Sequence, residues 1–253
     1  MNVMRAVLAL PILLLAPGCI VIEGSECRHS EPREAVLPAA AGVRTVEVRA
    51  LAGSLSIAGQ SGAGEVRAEG VACARRRRDL ESIDLEARRE GDRIVIEAVI
   101  AQAARRRGAR LDLSIRAPAD VELVVSDTSG VVEIVGVESV KLDDASGDVW
   151  LERIAGDVVV IDRSGDVEVY DVGGALRVDD GSGDVVIRGA AAVTIVSDGS
   201  GDLEIEDVVG DVTILDDGSG DIEVRRIGGD LRVDDDGSGE IEHAEIGGSV
   251  EIR

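Results

Sequence analysis

Apolar and polar residues alternate strictly through the second half of the chain. Val149 and Leu151, Val158 and Val160, Val167 and Val169, Leu176 and Val178, and Val185 and Ile187 recur two residues apart, and the pattern continues to Val250 and Ile252. Between them stand Glu168, Arg177, Glu204, Thr213, Glu223 and Arg232. A period of two with one apolar side predicts short strands buried on one face. Ser-Gly pairs punctuate these strands at Ser129-Gly130, Ser146-Gly147, Ser164-Gly165, Ser182-Gly183, Ser200-Gly201, Ser219-Gly220 and Ser238-Gly239, spaced by 17, 18, 18, 18, 19 and 19 residues. Midway between them lies a second glycine turn, at Gly156, Gly174, Gly210, Gly229 and Gly248, with Ala191-Ala192 filling the slot once. Each unit of about 18 residues therefore has two halves of about nine, each a strand and a turn. A third apolar residue precedes the second turn, as at Ile154, Val172, Val208, Ile227 and Ile246, and is expected to plug the corner.

A single half cannot bury its apolar face. Stacking successive units does so, because each strand then pairs with its counterpart one coil away. The expected fold is all-β: a β-solenoid of about 18-residue coils, seven of which would make a rod of roughly 30 Å at the spacing between strands. Two-sided and three-sided coils both fit the spacing. Residues 131–253 form the regular part. Residues 42–130 read as earlier, less regular coils, with strand alternation at 43–49, 54–57, 82–86, 93–100, 111–116 and 121–125. Arg75–Arg78 and Arg105–Arg107 interrupt them as solvated loops, or as a basic edge able to dock on an acidic surface.

The units SGDVEVYDVGG, GSGDVVIRG, GSGDLEIEDVVG and GSGDIEVRRIGG resemble the strand repeats of the DUF4097 family of candidate adhesins. The likeness covers about residues 42–253 and rests on a low-complexity motif, specific for architecture and weak for activity. It implies a right-handed, single-stranded β-helix in an exported bacterial protein, and it supplies no catalytic residues.

Composition sharpens this picture. The 253 residues include 31 Gly, no Phe, one Trp (Trp150) and one Tyr (Tyr170), so the core must be thin and aliphatic. Residues 131–253 carry 9 basic and 32 acidic side chains, whereas residues 20–130 carry 17 and 18. The acidic half would repel nucleic acid, and no nucleic-acid partner is expected.

At the N-terminus, Arg5 precedes an apolar run over 6–16 that is too short to span a bilayer and suits a signal peptide over 1–18. The run ends in Leu15-Ala16-Pro17-Gly18-Cys19, which resembles the bacterial lipobox, in which the cysteine is acylated and becomes the new N-terminus. Ala16 and Pro17 depart from that motif, and ordinary signal-peptidase cleavage is the alternative. Lipid on Cys19, followed by Ile20 rather than Asp, points to an outer-membrane anchor on the periplasmic or the surface side. Residues 19–41 read as a tether, with His29 solvated. Cys27 and Cys73 are left as a disulfide pair or as two free thiols.

The candidate chemistry is acidic. Asp127, Asp144, Asp162, Asp180, Asp198, Asp217 and Asp236 stand three residues before successive turn glycines, and Asp148, Asp166, Asp184, Asp202 and Asp221, then Glu240, follow those glycines. Stacking sets both series in ladders about 5 Å apart. Turn chemistry accounts for aspartate there. Rows of hard oxygen ligands would also suit Ca²⁺ as a cofactor, although the calcium β-roll motif fails here for want of a residue between Gly and Asp. No Ser/His/Asp set or His/Cys cluster appears, and His243 reads as a tolerated core substitution. The chain is thus expected to be a non-enzymatic envelope adhesin or structural solenoid with an unidentified protein or surface partner. The alternative is a calcium-binding or self-assembling periplasmic scaffold or regulator, associating through an open edge at Ser249–Arg253.

Overall fold

The computed structural model describes residues 27–39 and 42–253; the leader and Cys19 lie outside them. The N-terminal region comprises β1 (His29–Pro38), β2 (Thr45–Arg49), β3 (Leu55–Gln60), β4 (Glu65–Ala74), α1 (Arg77–Leu80), β5 (Ile83–Glu90), β6 (Arg93–Ile100), α2 (Gln102–Arg105) and β7 (Arg110–Pro118). The repeats supply β8 (Glu122–Ser126), β9 (Val132–Val135), β10 (Ser139–Asp143), β11 (Val149–Ile154), β12 (Val158–Asp162), β13 (Val167–Val172), β14 (Ala175–Asp180) and β15 (Val185–Ala190). They continue with β16 (Ala192–Asp198), β17 (Leu203–Val208), β18 (Val212–Ile214), β19 (Ile222–Ile227), β20 (Leu231–Val233), β21 (Ile241–Ile246) and β22 (Val250–Ile252).

The protein is a β-solenoid of about seven turns. Each repeat coil gives one strand to each of two 11-stranded sheets, so the coil has two sides. Stacking is parallel and in register: Val149 pairs with Val167 and Leu151 with Val169 in one sheet, Val158 with Leu176 and Val160 with Val178 in the other. Inward residues therefore meet their equivalents all along the axis. Val132, Val149, Val167, Val185, Leu203 and Ile222 form one such row, each at most 1% exposed. Two sheets about 10 Å apart are filled by Val, Ile, Leu and Ala, which is why the fold needs no Phe.

The third apolar residue reaches inward through a local backbone device. Arg153, Asp171, Asp207, Arg226 and Glu245 share one column and all adopt φ between 56° and 60°. A left-handed residue there breaks the alternation, so Ile154, Val172, Val208 and Ile227 turn into the core at the corner.

The N-terminal coils are stacked out of chain order. β2 and β3 pair with β8 and β9 on one side and with β6 and β7 on the other, although β6 and β7 come later than β3 in the chain. Antiparallel strands finish this end: β4 and then β1 beyond β7, and β5 beyond β6. The 19–41 stretch is thus not a simple tether. Within it, β1 pairs with β4 from His29↔Ala74 to Pro38↔Glu65, Ala35 and Leu37 pack on the core, and Arg33 donates to the carbonyls of Ile83 and Leu80. Its prolines are compatible with a strand because β1 is an edge. A Cys27–Cys73 disulfide ties its start to β4.

Candidate functional site

Each Ser-Gly turn is entered from a strand of the second sheet, and the strand's parity decides where its aspartate goes. Along β12, Val158 and Val160 point inward and Val159 and Ile161 outward, so Asp162 falls in an inward slot. Asp144 and Asp180 follow Leu142 and Val178 in the same way. From the strand ending at Asp198 onward one extra residue precedes the aspartate, inserted at the register shift that pairs Asp179 with Ser197, and Asp198 and Asp217 still arrive inside.

The column is therefore buried rather than presented to solvent. Asp144, Asp162, Asp180, Asp198 and Asp217 are 0–2% exposed and Asp127 is 6% exposed; Asp236, in the last Ser-Gly turn, is only half-buried. Both carboxylate oxygens of Asp127, Asp162, Asp180, Asp198 and Asp217 have no hydrogen-bond donor, whereas the Ala145 N–H donates to Asp144 Oδ1 at 2.8 Å. Burial raises the six members from Asp127 to Asp217, and like-charged neighbours in the column add to it at Asp127, Asp162, Asp198 and Asp217. Asp127 is pushed up to about 7, Asp162 to about 7 between Asp144 and Asp180, Asp198 to about 7 between Asp180 and Asp217, and Asp217 to about 6 beside Asp236. Asp144 and Asp180 are raised too, again chiefly by burial.

Carboxylates can only accept, so two ionised neighbours in the column cannot bond to one another. A protonated member supplies one. Asp180 lies within reach of Asp162 and Asp198, and Asp217 within reach of Asp198 and Asp236, so an O–H on one can donate to the next. Burial thus favours the acid form in the column, and a proton held by one member can bridge to the next.

The second predicted series lies elsewhere and does different work. Asp148, Asp166, Asp184, Asp202 and Asp221 are exposed, and each accepts the backbone N–H of the acidic residue one coil on, at 3.4 Å for Asp148 and 3.0 Å for the other four. It staples neighbouring coils. The two series thus do not converge as calcium ligands would: one fills the corner and the other faces solvent. Among the described residues, no three His, Cys, Asp or Glu side chains group where a metal ion could be held.

A third column of aspartates is present. Asp157, Asp211 and Asp230 at the other turn accept backbone N–H groups from Ala175, Asp230 and Ser249 at 2.9, 2.8 and 2.6 Å. The recurring Gly-Asp of 156–157, 210–211 and 229–230 was its signal. His243 is not a core residue: it pairs with Val224 in an inward register slot but is exposed, because no described coil covers β21. Trp150 and Tyr170 stack on the outer face of the first sheet with centroids 4.7 Å apart, and the Tyr170 hydroxyl donates to Glu168 at 2.7 Å.

No family model matches the chain. No curated protein matches it either. Among solved structures it is similar to a candidate cell adhesion protein from Clostridium sporogenes, with 11% identity over 88% of this chain and 100% of that one at a TM-score of 0.43. A candidate adhesin from Bacteroides fragilis is 11% identical over 89% and 98% at a TM-score of 0.45, and one from Parabacteroides merdae is 10% identical over 88% and 96% at 0.32.

Proposed function

We propose that this is a non-enzymatic envelope lipoprotein of the DUF4097 adhesin type, whose solenoid offers a flat, periodic face to an extended partner. The supporting observation is the outer side of the first sheet. In-register pairing places Trp150, Glu168, Val186, Glu204, Glu223 and Glu242 in one straight column. Side chains repeated at about 4.8 Å steps suit a long or repetitive ligand better than a small substrate. Such a face is rigid before binding, so little ordering entropy opposes association. Lipid on Cys19 would hold the rod at the outer membrane, with partner contact on whichever side it faces.

The test is surface attachment by a strain lacking this chain, complemented with the wild type or with Glu168→Lys/Glu204→Lys/Glu223→Lys. Attachment restored by the wild type and reduced several-fold with the variant supports the reading. Attachment indifferent to deletion overturns it. Protease treatment of intact cells, against cells with opened outer membranes, assigns the face on which the rod stands.

A further inference from the structure

Seven arginines occupy two short runs, Arg75–Arg78 and Arg105–Arg107, nearly 30 positions apart in the chain. The fold brings them together. β4 and β7 are antiparallel neighbours with Cys73 opposite Arg110, so the segment leaving β4 and the segment entering β7 emerge side by side. Arg75, Arg76, Arg106 and Arg107 line one open concavity with Gly108. Arg107 is engaged with the buried Asp79, its Nε 3.1 Å from Oδ2. Arg75, Arg76 and Arg106 are exposed and form no ion pair among the described residues.

We propose that this cluster is a docking surface for the phosphate headgroups of an anionic phospholipid bilayer, which stands the acidic solenoid away from the membrane. The orientation rests on the reading of Cys19 as the lipid anchor. Cys27, eight residues beyond it, is bonded to Cys73, two residues before Arg75. Eight extended residues span at most about 28 Å, so the anchor keeps the cluster at the bilayer surface, where its effective concentration is high. The charge distribution agrees. The guanidinium forks match phosphate oxygens, while residues 131–253, at a net −23, are repelled by the same surface. A rod with its arginine cluster down and its acidic body up lowers both energies.

The experiment uses the full mature chain from residue 19, which holds every described residue, with Cys19→Ser so that no acyl group contributes. Binding is measured by flotation with vesicles of phosphatidylcholine alone or containing phosphatidylglycerol, at low and high salt. Binding is expected only with phosphatidylglycerol and is expected to vanish at high salt. Arg75→Gln/Arg76→Gln/Arg106→Gln should weaken it about 100-fold, at about five-fold per arginine near an anionic surface. The salt dependence of the wild type tests the proposal even if the triple variant folds poorly. Absence of binding to phosphatidylglycerol vesicles, or equal binding by the variant, overturns it. So does arginine-dependent self-association without vesicle binding, which would assign the cluster to the acidic face of a second copy. Mass spectrometry of the native Cys19 tests the anchor separately, so failure of one reading is distinguishable from failure of the other.

Discussion

Replacing Asp198 with asparagine should stabilise this protein at alkaline pH and leave it nearly unchanged in acid. Asp198 is 1% exposed, lacks a donor at either oxygen and is pushed from 3.8 to about 7, first by burial and then by Asp180 and Asp217. Its folded value is raised, so the stability tied to its proton is fully present below about pH 4 and is lost as pH rises through about 7. At about 1.4 kcal/mol for each tenfold change in proton affinity, keeping Asp198 ionised in the fold costs about 4 kcal/mol at most. Part of that belongs to its neighbours, which would relax once Asp198 is neutral, leaving about 2 kcal/mol for the single substitution. Asparagine cannot ionise, has nearly the same shape, and its amide can donate to Asp180 or Asp217. Urea unfolding of wild type and Asp198→Asn at pH 4, 6 and 8 should show a difference near zero at pH 4 that grows to about 2 kcal/mol in favour of the variant at pH 8. The corresponding rise in Tm is about 4–8 °C. A variant that is destabilised at pH 8, or a difference that does not change with pH, would falsify the burial argument.

Four further outcomes follow from the packing. Gly183 adopts φ 141°, and a Cβ there would run into the carbonyl of Gly165, so Gly183→Ala should cost about 3 kcal/mol or more by denaturant titration. By contrast Gly189→Asn, in the column where Asp171 and Asp207 already adopt positive φ, should cost under about 1 kcal/mol. Asp184→Ala deletes the acceptor for the Asp202 N–H at an exposed site and should cost about 1 kcal/mol, with Asp184→Asn recovering most of it in the same titration. Replacing Cys27 and Cys73 with alanine opens a cross-link of sequence separation 46 and should cost about 4 kcal/mol in the chain-entropy account, with hydrogen exchange rising first in β1 and β4; unchanged exchange there would count against a bridge that holds the strand.

The regular coils were legible because their information is local and repeated. Val149, Val167 and Val185 recur at near-constant spacing with the same parity, and stacking carries each onto its equivalent. β1 was less legible, since Pro32 and Pro38 read as tether residues, and only the knowledge that β1 is an edge makes them compatible with a strand. The antiparallel β4 was missed for a related reason: Ala68, Gly70 and Ala72 are too small to mark an apolar face, yet Ala68 and Ala72 are fully buried. The acidic ladders were visible as columns but not as opposites. The parity of Val158, Val160 and Asp162 was present in the sequence, but the turn chemistry of aspartate argued for exposure.

By itself, then, the sequence determined the repeat length, the strand parity, the aliphatic core and the separation of charge between the two halves, because each depends on residues close together in the chain. Tertiary structure alone decided the two-sided coil, the out-of-order stacking of β6 and β7 and the meeting of the two arginine runs. Period sets which residues share a face. What that face closes against is set by pairings between distant segments, and the environment of a carboxylate or a guanidinium follows from those pairings.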